Sequence, residues 1–117
     1  MFLKLNHKNL DAYKVSRQLL KESYKVTAKL PVEEKYNLTQ QIRRAALSVK
    51  LNIAEGASRK SEAERKRYYE ISRGSVIEID AAIEAAVDLE LLSEDQLTEL
   101  GKSVNSAFAL LSRMINP

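Results

Sequence analysis

The chain of 117 residues contains no cysteine and no tryptophan, a single histidine, three glycines and two prolines. Without cysteine, disulfides, thiolate nucleophiles and all cysteine-based metal sites are excluded. The one histidine, His7, precedes the first predicted helix, where a solvated side chain is more frequent than a general base. Pro31 and Gly56 are expected to mark helix ends, because both residue types interrupt helices.

Long apolar runs are also missing. None approaches the ~18 residues of a membrane span, and no basic start is followed by an apolar core and a cleavage site. A composition of 44% hydrophobic and 30% charged residues is typical of ordinary globular proteins. We therefore expect one cytoplasmic domain, residues 1–117, without a membrane partner.

The modest net charge of +3 conceals a strong segregation of sign along the chain. Residues 1–74 hold 17 Lys/Arg against 8 Asp/Glu, whereas residues 75–117 hold 2 against 8. Such an asymmetry suggests either an anionic partner for the first half or a self-complementary contact between copies. The sequence does not choose between them.

Hydrophobic periodicity and capping signals predict four helices. Their predicted ranges are about 10–29, 38–56, 62–91 and 94–115. Asn37 is expected to cap the second helix, and Ser61 and Ser93 are expected to open the third and fourth as capping boxes. Short joints between long helices imply antiparallel neighbours, hence an all-α, up-down-up-down four-helix bundle.

The apolar positions of each predicted helix define the expected core face. In the first helix these are Tyr13, Ser16, Leu19, Leu20, Tyr24 and Val26. In the second they are Leu38, Ile42, Ala45, Val49, Ile53 and Gly56. In the third they are Tyr68, Ile71, Ser75, Ile79, Ala82, Ile83, Ala86 and Leu89. In the fourth they are Leu97, Leu100, Val104, Phe108, Leu111 and Ile115.

A polar stripe lies beside the apolar face of the second helix. It comprises Gln41, Arg44, Ser48, Asn52 and Glu55, and the third helix adds Arg73, Ser75 and Glu78. Arginine suits bidentate pairing with carboxylates, and an asparagine can bridge as donor and acceptor. We interpret these residues as an interhelix or intersubunit network. A ligand site and a plain solvent-exposed face are the alternatives.

The same segment carries a family resemblance. The resembling positions are Gln41, Arg44, Ala45, Ser48, the run Asn52-Ile-Ala-Glu-Gly56, Arg73-Gly-Ser75 and Glu78. Together they resemble the signature of the four-helix bundle proteins encoded in 23S rRNA intervening sequences, also called S23 ribosomal proteins, a family that includes the accessory variability proteins of diversity-generating retroelements. Length and helix order match over nearly the whole chain, although Ser72 stands where the family more often has alanine.

The resemblance implies a ring-like homo-oligomer, with five subunits as the precedent, and a preference for RNA. The sequence itself offers one oligomer signal, since Gly74 lies inside a helix at a cost of roughly 1 kcal/mol relative to alanine. Gly74, Ala81 and Ala85 fall within about 40° of each other on a helical wheel, which predicts a strip beside the core face where another copy can approach closely. Accidental small residues are the alternative.

Catalytic and metal-binding motifs are not evident. Asp80, Glu84 and Asp88 form a carboxylate stripe at helical spacing, but such a stripe is more often a solvated face or the complement of a neighbour's lysines. No nucleophile elbow, phosphate-binding glycine loop or Glu-x-x-His pair is present. We therefore expect no enzyme activity, no cofactor and no metal.

The densest basic segment surrounds the start of the third helix. It contains Arg59, Lys60, Arg65, Lys66 and Arg67, and Tyr68 and Tyr69 follow it. Helix-start amides and basic side chains bind phosphates, and Lys14, Lys21 and Lys25 of the first helix would help if they lie nearby. An ordinary solvated surface is the alternative, and Glu62 and Glu64 dilute the charge.

We therefore predict a non-catalytic, oligomeric protein that binds RNA or other nucleic acid through this segment. The alternative is a protein–protein adaptor without nucleic-acid contact, for example an accessory subunit for a reverse transcriptase.

Overall fold

The computed structural model describes residues 1–117 and contains four α-helices and no β-strand. The helices are α1 (Asp11–Thr27), α2 (Leu38–Ala57), α3 (Glu62–Asp88) and α4 (Thr98–Ile115). Short 3-10 turns precede α1, α2 and α4 at Asn6–Asn9, Val32–Glu34 and Glu94–Gln96. α1 and α3 each pack against both α2 and α4, so the four helices surround one hydrophobic core. None of them combines the length and apolar character needed to cross a membrane.

The start of α2 is capped by a different residue from the one predicted. The Asn37 side chain makes no capping bond; its amide donates to Glu34 Oε1 at 3.0 Å. The same carboxylate oxygen accepts the backbone N–H of Leu38 at 3.4 Å. Glu34 therefore takes the capping role, and its negative charge also suits the positive end of the helix dipole.

Two helix boundaries differ from the predicted ones by three residues or more. α3 ends at Asp88 rather than 91, because Glu90 adopts the left-handed conformation with φ 60°. The amides of Glu90 and Leu91 bond back to the carbonyls of Val87 and Ala86, which forms a Schellman motif. The Ser93 capping box does form with Gln96, but it opens the 3-10 turn, and α4 begins only at Thr98.

Ser61 caps α3 as expected, since its Oγ accepts the Glu64 amide at 3.1 Å. The reciprocal bond from the Ser61 amide to the Glu64 side chain is not formed, so only half of the predicted box is present.

The core face of α2 is confirmed, because Ile42, Ala45, Val49, Ile53 and Gly56 are all buried. The predicted faces of the other helices are partly wrong. The misplaced large side chains are Tyr24, Ile71, Leu89 and Phe108, which are all exposed. Ser16 is buried as predicted, and further small or hydroxyl-bearing residues fill core positions that the prediction omitted, namely Ala12, Ser23, Thr27, Ser72, Ser103 and Ala107.

A close contact at Gly56 joins α2 to α3. A Cβ added at Gly56 would lie 2.8 Å from Tyr69 Cε1 and 2.9 Å from Tyr68 Cβ, so only glycine fits without a shift. Further along, Ser72 Oγ donates to the Val49 carbonyl at 2.8 Å. Residue numbers therefore rise along α2 as they fall along α3, and the two helices run in opposite directions.

Candidate nucleic-acid interface

The predicted basic segment lies at the joint between α2 and α3, and Arg59 is already engaged there. Its Nη2 lies 2.8 Å from Glu55 Oε2 and donates to the Tyr68 hydroxyl at 3.1 Å. The guanidinium also lies 4.9 Å from the centre of the Tyr68 ring. Arg59 Nε is buried without a hydrogen-bond partner. Arg59 therefore stabilises the joint, and its guanidinium is not free to bind a phosphate in this arrangement.

Arg65 is also committed to the joint. Its Nη1 donates to the carbonyls of Arg59 and Lys60 at 3.1 and 2.8 Å, so it ties the connecting residues to the first turn of α3. Lys66 lies 3.4 Å from Glu62 Oε1. Of the five predicted residues, only Lys60 and Arg67 are exposed with neither a salt bridge nor a side-chain hydrogen bond.

The lysines of α1 do not join this segment in one patch. Lys14 lines a groove between α1 and α4 together with Asp11 and Arg113. Lys25 lies 3.4 Å from Glu22 Oε1, and Lys21 is exposed. Basic charge is thus spread along α1 rather than concentrated beside residues 59–67.

The polar stripe divides into two groups, and its short neutral members come together. Asn52 Nδ2 donates to both the carbonyl and the Oγ of Ser48, at 2.9 and 3.0 Å. Ser75 Oγ donates to Ser48 Oγ at 3.0 Å and so links α3 to α2. These three residues form an interhelix network of hydroxyls and an amide.

The charged members of the stripe form no ion pair between α2 and α3. The predicted interhelix network of these charges is therefore wrong within the chain. Glu55 pairs with Arg59, and Arg73 lies on the α4 side of α3, where its Nη1 donates to Ser112 Oγ at 3.2 Å. Gln41, Arg44 and Glu78 are exposed and make no side-chain hydrogen bond or salt bridge. The intersubunit form stays a prediction.

The small-residue strip lies on the outer side of α3 rather than beside its core face. Gly74 and Ala81 are exposed and Ala85 is half-buried. A Cβ added at Gly74 would meet nothing within 4 Å, so no helix of the same chain approaches it. Ile71 and Ile77, on the flanks of the strip, are 44% and 53% exposed. A contact with another copy remains a prediction, now directed at an outward-facing surface.

Two titratable side chains have shifted pKa values, both mainly through burial. Partial burial, helped by the charge of Lys8, lowers the pKa of His7, whose ring packs edge-on against Tyr13 at 4.7 Å. Burial raises the pKa of Tyr69 in the α2–α3 contact, and nearby Arg65 opposes that shift. No group of three or more His, Asp or Glu side chains is arranged to hold a metal ion.

A groove that the sequence did not reveal lies between the end of α1, the turn that connects α1 to α2, and the start of α2. It is lined by Tyr24, Lys35, Tyr36, Thr39, Gln40, Arg43, Arg44 and Leu47, and we call it the tyrosine groove. The sequence shows Lys35-Tyr36 and Arg43-Arg44 only as two separate short segments, of which the first precedes α2. The packing of the turn against α1 and α2 brings them together with Tyr24.

Comparison with known proteins identifies the family of this chain. Residues 8–113 match the family model described as 23S rRNA-intervening sequence protein. The chain belongs to this family. A similar fold is seen in the 1.70 Å crystal structure of a protein of unknown function from the S23 ribosomal protein family of Bacteroides thetaiotaomicron VPI-5482. The TM-score is 0.82 at 20% sequence identity, over 91% of this chain and 99% of that one. No curated protein matches the sequence.

The residues that carried the resemblance serve distinct structural purposes in this chain. Ala45 and Gly56 are buried where α2 meets the core and α3. Ser48 and Ser75 join the two helices by a hydrogen bond. Arg44 instead faces outward at the tyrosine groove. Part of the motif thus maintains the α2–α3 contact, and part of it reaches an open surface.

Proposed function

We propose that this protein is a non-catalytic, oligomeric RNA-binding protein that contacts its partner mainly through phosphates. The observation that carries the proposal is the distribution of charge over the bundle. Residues 1–67, which contain α1, α2 and the first turns of α3, hold 16 Lys/Arg against 7 Asp/Glu; residues 68–117 hold 3 against 9. α1 packs on α2, and α2 packs on α3. An excess of basic residues on these neighbouring elements favours a polyanionic partner. RNA is preferred over DNA because the family description names an rRNA intervening sequence.

Within segment 59–67, the proposal assigns phosphate contacts to Lys60 and Arg67, which are free of intramolecular partners. Such contacts carry no sequence information, so unrelated RNAs should bind similarly.

Self-association would increase the effect of a modest patch. The outward strip of Gly74, Ala81 and Ala85, flanked by Ile71 and Ile77, is the proposed contact between copies. We take the four helices to alternate in direction, because α2 and α3 are antiparallel and the joints are short. In a symmetric ring, each copy would present the same side outward. A ring, with five copies expected from the resemblance alone, would repeat the basic surface and raise avidity without any new contact.

A protein adaptor is the second candidate function. Leu47 and Leu51 on α2 are 42% and 52% exposed, and Ile71 is exposed on the neighbouring helix. Exposed apolar side chains on adjacent helices mark docking surfaces in many proteins. A protein partner, such as a reverse transcriptase that needs an accessory subunit, would use this face and would bind with little dependence on salt.

The proposal is tested by charge reversal away from the joint. Lys60→Glu/Arg67→Glu should weaken binding of a fluorescein-labelled single-stranded RNA by about tenfold or more in anisotropy titrations at low salt. Arg59 and Arg65 are left intact, because they hold the joint together.

Lys102→Glu/Arg113→Glu, which makes the same charge change on α4, is the matched control and should alter affinity far less. Equal losses in the two double variants would show only a net-charge effect. No loss in the first variant would remove segment 59–67 from the interface.

A further inference from the structure

The tyrosine groove combines aromatic rings and positive charge on an open surface. Its volume is about 290 Å³. The Tyr36 side chain is 79% exposed and Tyr24 is 45% exposed, so both rings retain area that the fold does not bury. The lining includes three cationic side chains, Lys35, Arg43 and Arg44, and no Asp or Glu. Glu34 lies close in sequence, but its carboxylate is occupied in capping α2.

Arg43 is held in place before any ligand arrives. Its Nε donates to Thr27 Oγ1 at 2.8 Å, and its guanidinium lies 4.4 Å from the centre of the Tyr24 ring. Those contacts use Nε and one face of the guanidinium. The two Nη groups make no hydrogen bond within the protein. A guanidinium fixed in this way loses little conformational entropy when it binds a phosphate. Arg44, exposed and unpaired, adds a second donor next to it.

We infer that the tyrosine groove binds an unpaired nucleotide of a single-stranded RNA, with the base stacked on Tyr36 and adjacent phosphates on Arg43 and Arg44. Stacking on an exposed aromatic ring beside a cationic track is the general means by which proteins hold single strands without reading sequence. A duplex cannot use Tyr36 in this way, because its bases are stacked on one another and recognition relies on backbone and groove shape. The inference rests on the proposed RNA binding and adds to it a site and a preference for unpaired strands.

The first variant to examine is Tyr36→Ala, with Tyr36→Phe to retain the ring. Binding of a fluorescein-labelled adenosine 12-mer should weaken by about tenfold in Tyr36→Ala and stay within about twofold of wild type in Tyr36→Phe. Phe108→Ala is the control, because Phe108 is another exposed ring, 42% accessible, and lies on α4 outside the groove. Tyr36 is not in the core, so circular dichroism should show the same helix content in all variants.

A blunt 12-base-pair RNA duplex and an abasic single strand of the same length serve as comparison probes. Tyr36→Ala should leave affinity for both nearly unchanged, since the bases of the duplex are paired and stacked on one another and the abasic strand has none. Because the chain has no tryptophan, intrinsic tyrosine fluorescence can report the contact directly. The adenosine 12-mer should quench it in the wild type and quench it less in Tyr36→Ala.

The outcomes separate this site from the proposed function. If the wild type binds the 12-mer and Tyr36→Ala binds it equally well, the groove is excluded while RNA binding stands. An equal loss for the 12-mer, the duplex and the abasic strand would overturn base stacking, because only a general disturbance or a phosphate effect would reach all three. If the wild type binds none of the probes at low salt, both the site and the proposed function fail.

Discussion

At the scale of single residues, Gly56 is where the packing of α2 on α3 is least tolerant. Its missing side chain lets the Tyr69 ring and the Tyr68 Cβ approach to distances that a methyl group would violate. Tyr68 Cβ is fixed to the backbone and Tyr69 is buried, so neither contact can be relieved by a flexible side-chain end.

Gly56→Ala should therefore lower the free energy of unfolding by about 1–3 kcal/mol in urea titrations, as overpacking does. Gly101→Ala is the matched control, because a Cβ there meets nothing within 4 Å. It should raise the stability by about 0.5–1 kcal/mol, since alanine restricts the unfolded chain and favours helix. Equal effects at both positions would contradict the close α2–α3 approach.

Residue-scale prediction from sequence succeeded along α2 and was less accurate on the other helices, where serine and alanine residues outside the apolar pattern fill part of the core. The α2 face follows its apolar pattern, with Ile42, Val49 and Ile53 fully buried. In α3, Ser72 occupies a core position, because its hydroxyl bonds the Val49 carbonyl and the helices meet closely there. A prediction based on apolar side chains places Ile71 rather than Ser72 on the core face of α3. The hydropathy of a serine does not indicate that its hydroxyl will form a hydrogen bond with a neighbouring helix.

At the scale of elements, the α2–α3 joint depends on Arg65. Arg65→Ala should lower stability by about 1 kcal/mol, because the guanidinium bonds two carbonyls of the connecting residues. Arg67→Ala, two residues on and unpaired, should stay within about 0.5 kcal/mol of wild type. Chemical denaturation followed by circular dichroism measures both. Similar values for the two variants would argue that Arg65 is merely another surface cation.

The end of α3 stores a small amount of strain. Glu90 adopts a left-handed conformation that glycine takes at much lower cost. Glu90→Gly should therefore raise the thermal midpoint, with a gain in stability of about 1 kcal/mol. Glu90→Ala keeps the unfavourable conformation and should bring no gain. A stabilisation of the same size by alanine would point to removal of the charge instead.

Helix existence was predictable at this scale, whereas helix ends were less so. The four periodic segments all form, because each carries an apolar face long enough to pack. The boundaries depend on local bonds with several possible partners. Glu34 outcompetes Asn37 for the first amide of α2, and Glu90 ends α3 without the glycine that usually signals such a turn.

At the scale of the whole molecule, the outward strip on α3 predicts self-association. Gly74→Leu should give monomers or precipitate while helical circular dichroism stays near wild type, because the new side chain enters open space in the isolated chain. Gly101→Leu is the control for the same change on α4 and should leave the assembly intact. Light scattering that shows wild-type monomers at micromolar concentration would contradict the assembly.

The candidate site was only partly predictable from sequence. Counting charges located the basic half of the chain and the segment at residues 59–67. It could not show that Arg59 and Arg65 are bound within the joint, because those bonds depend on how α2 turns into α3. Nor could it show the tyrosine groove, whose residues come from α1, a turn and α2. Both depend on packing between elements.

The salt dependence of RNA binding tests the central claim most directly. Anisotropy titrations of wild type with a single-stranded RNA between 50 and 200 mM salt give the slope of log affinity against log salt. Release of counterions predicts a slope of about −0.7 per phosphate contacted, hence about −2 or steeper for three or more contacts. A slope near zero, or no detectable binding at 50 mM salt, would contradict the account and leave the protein adaptor in its place.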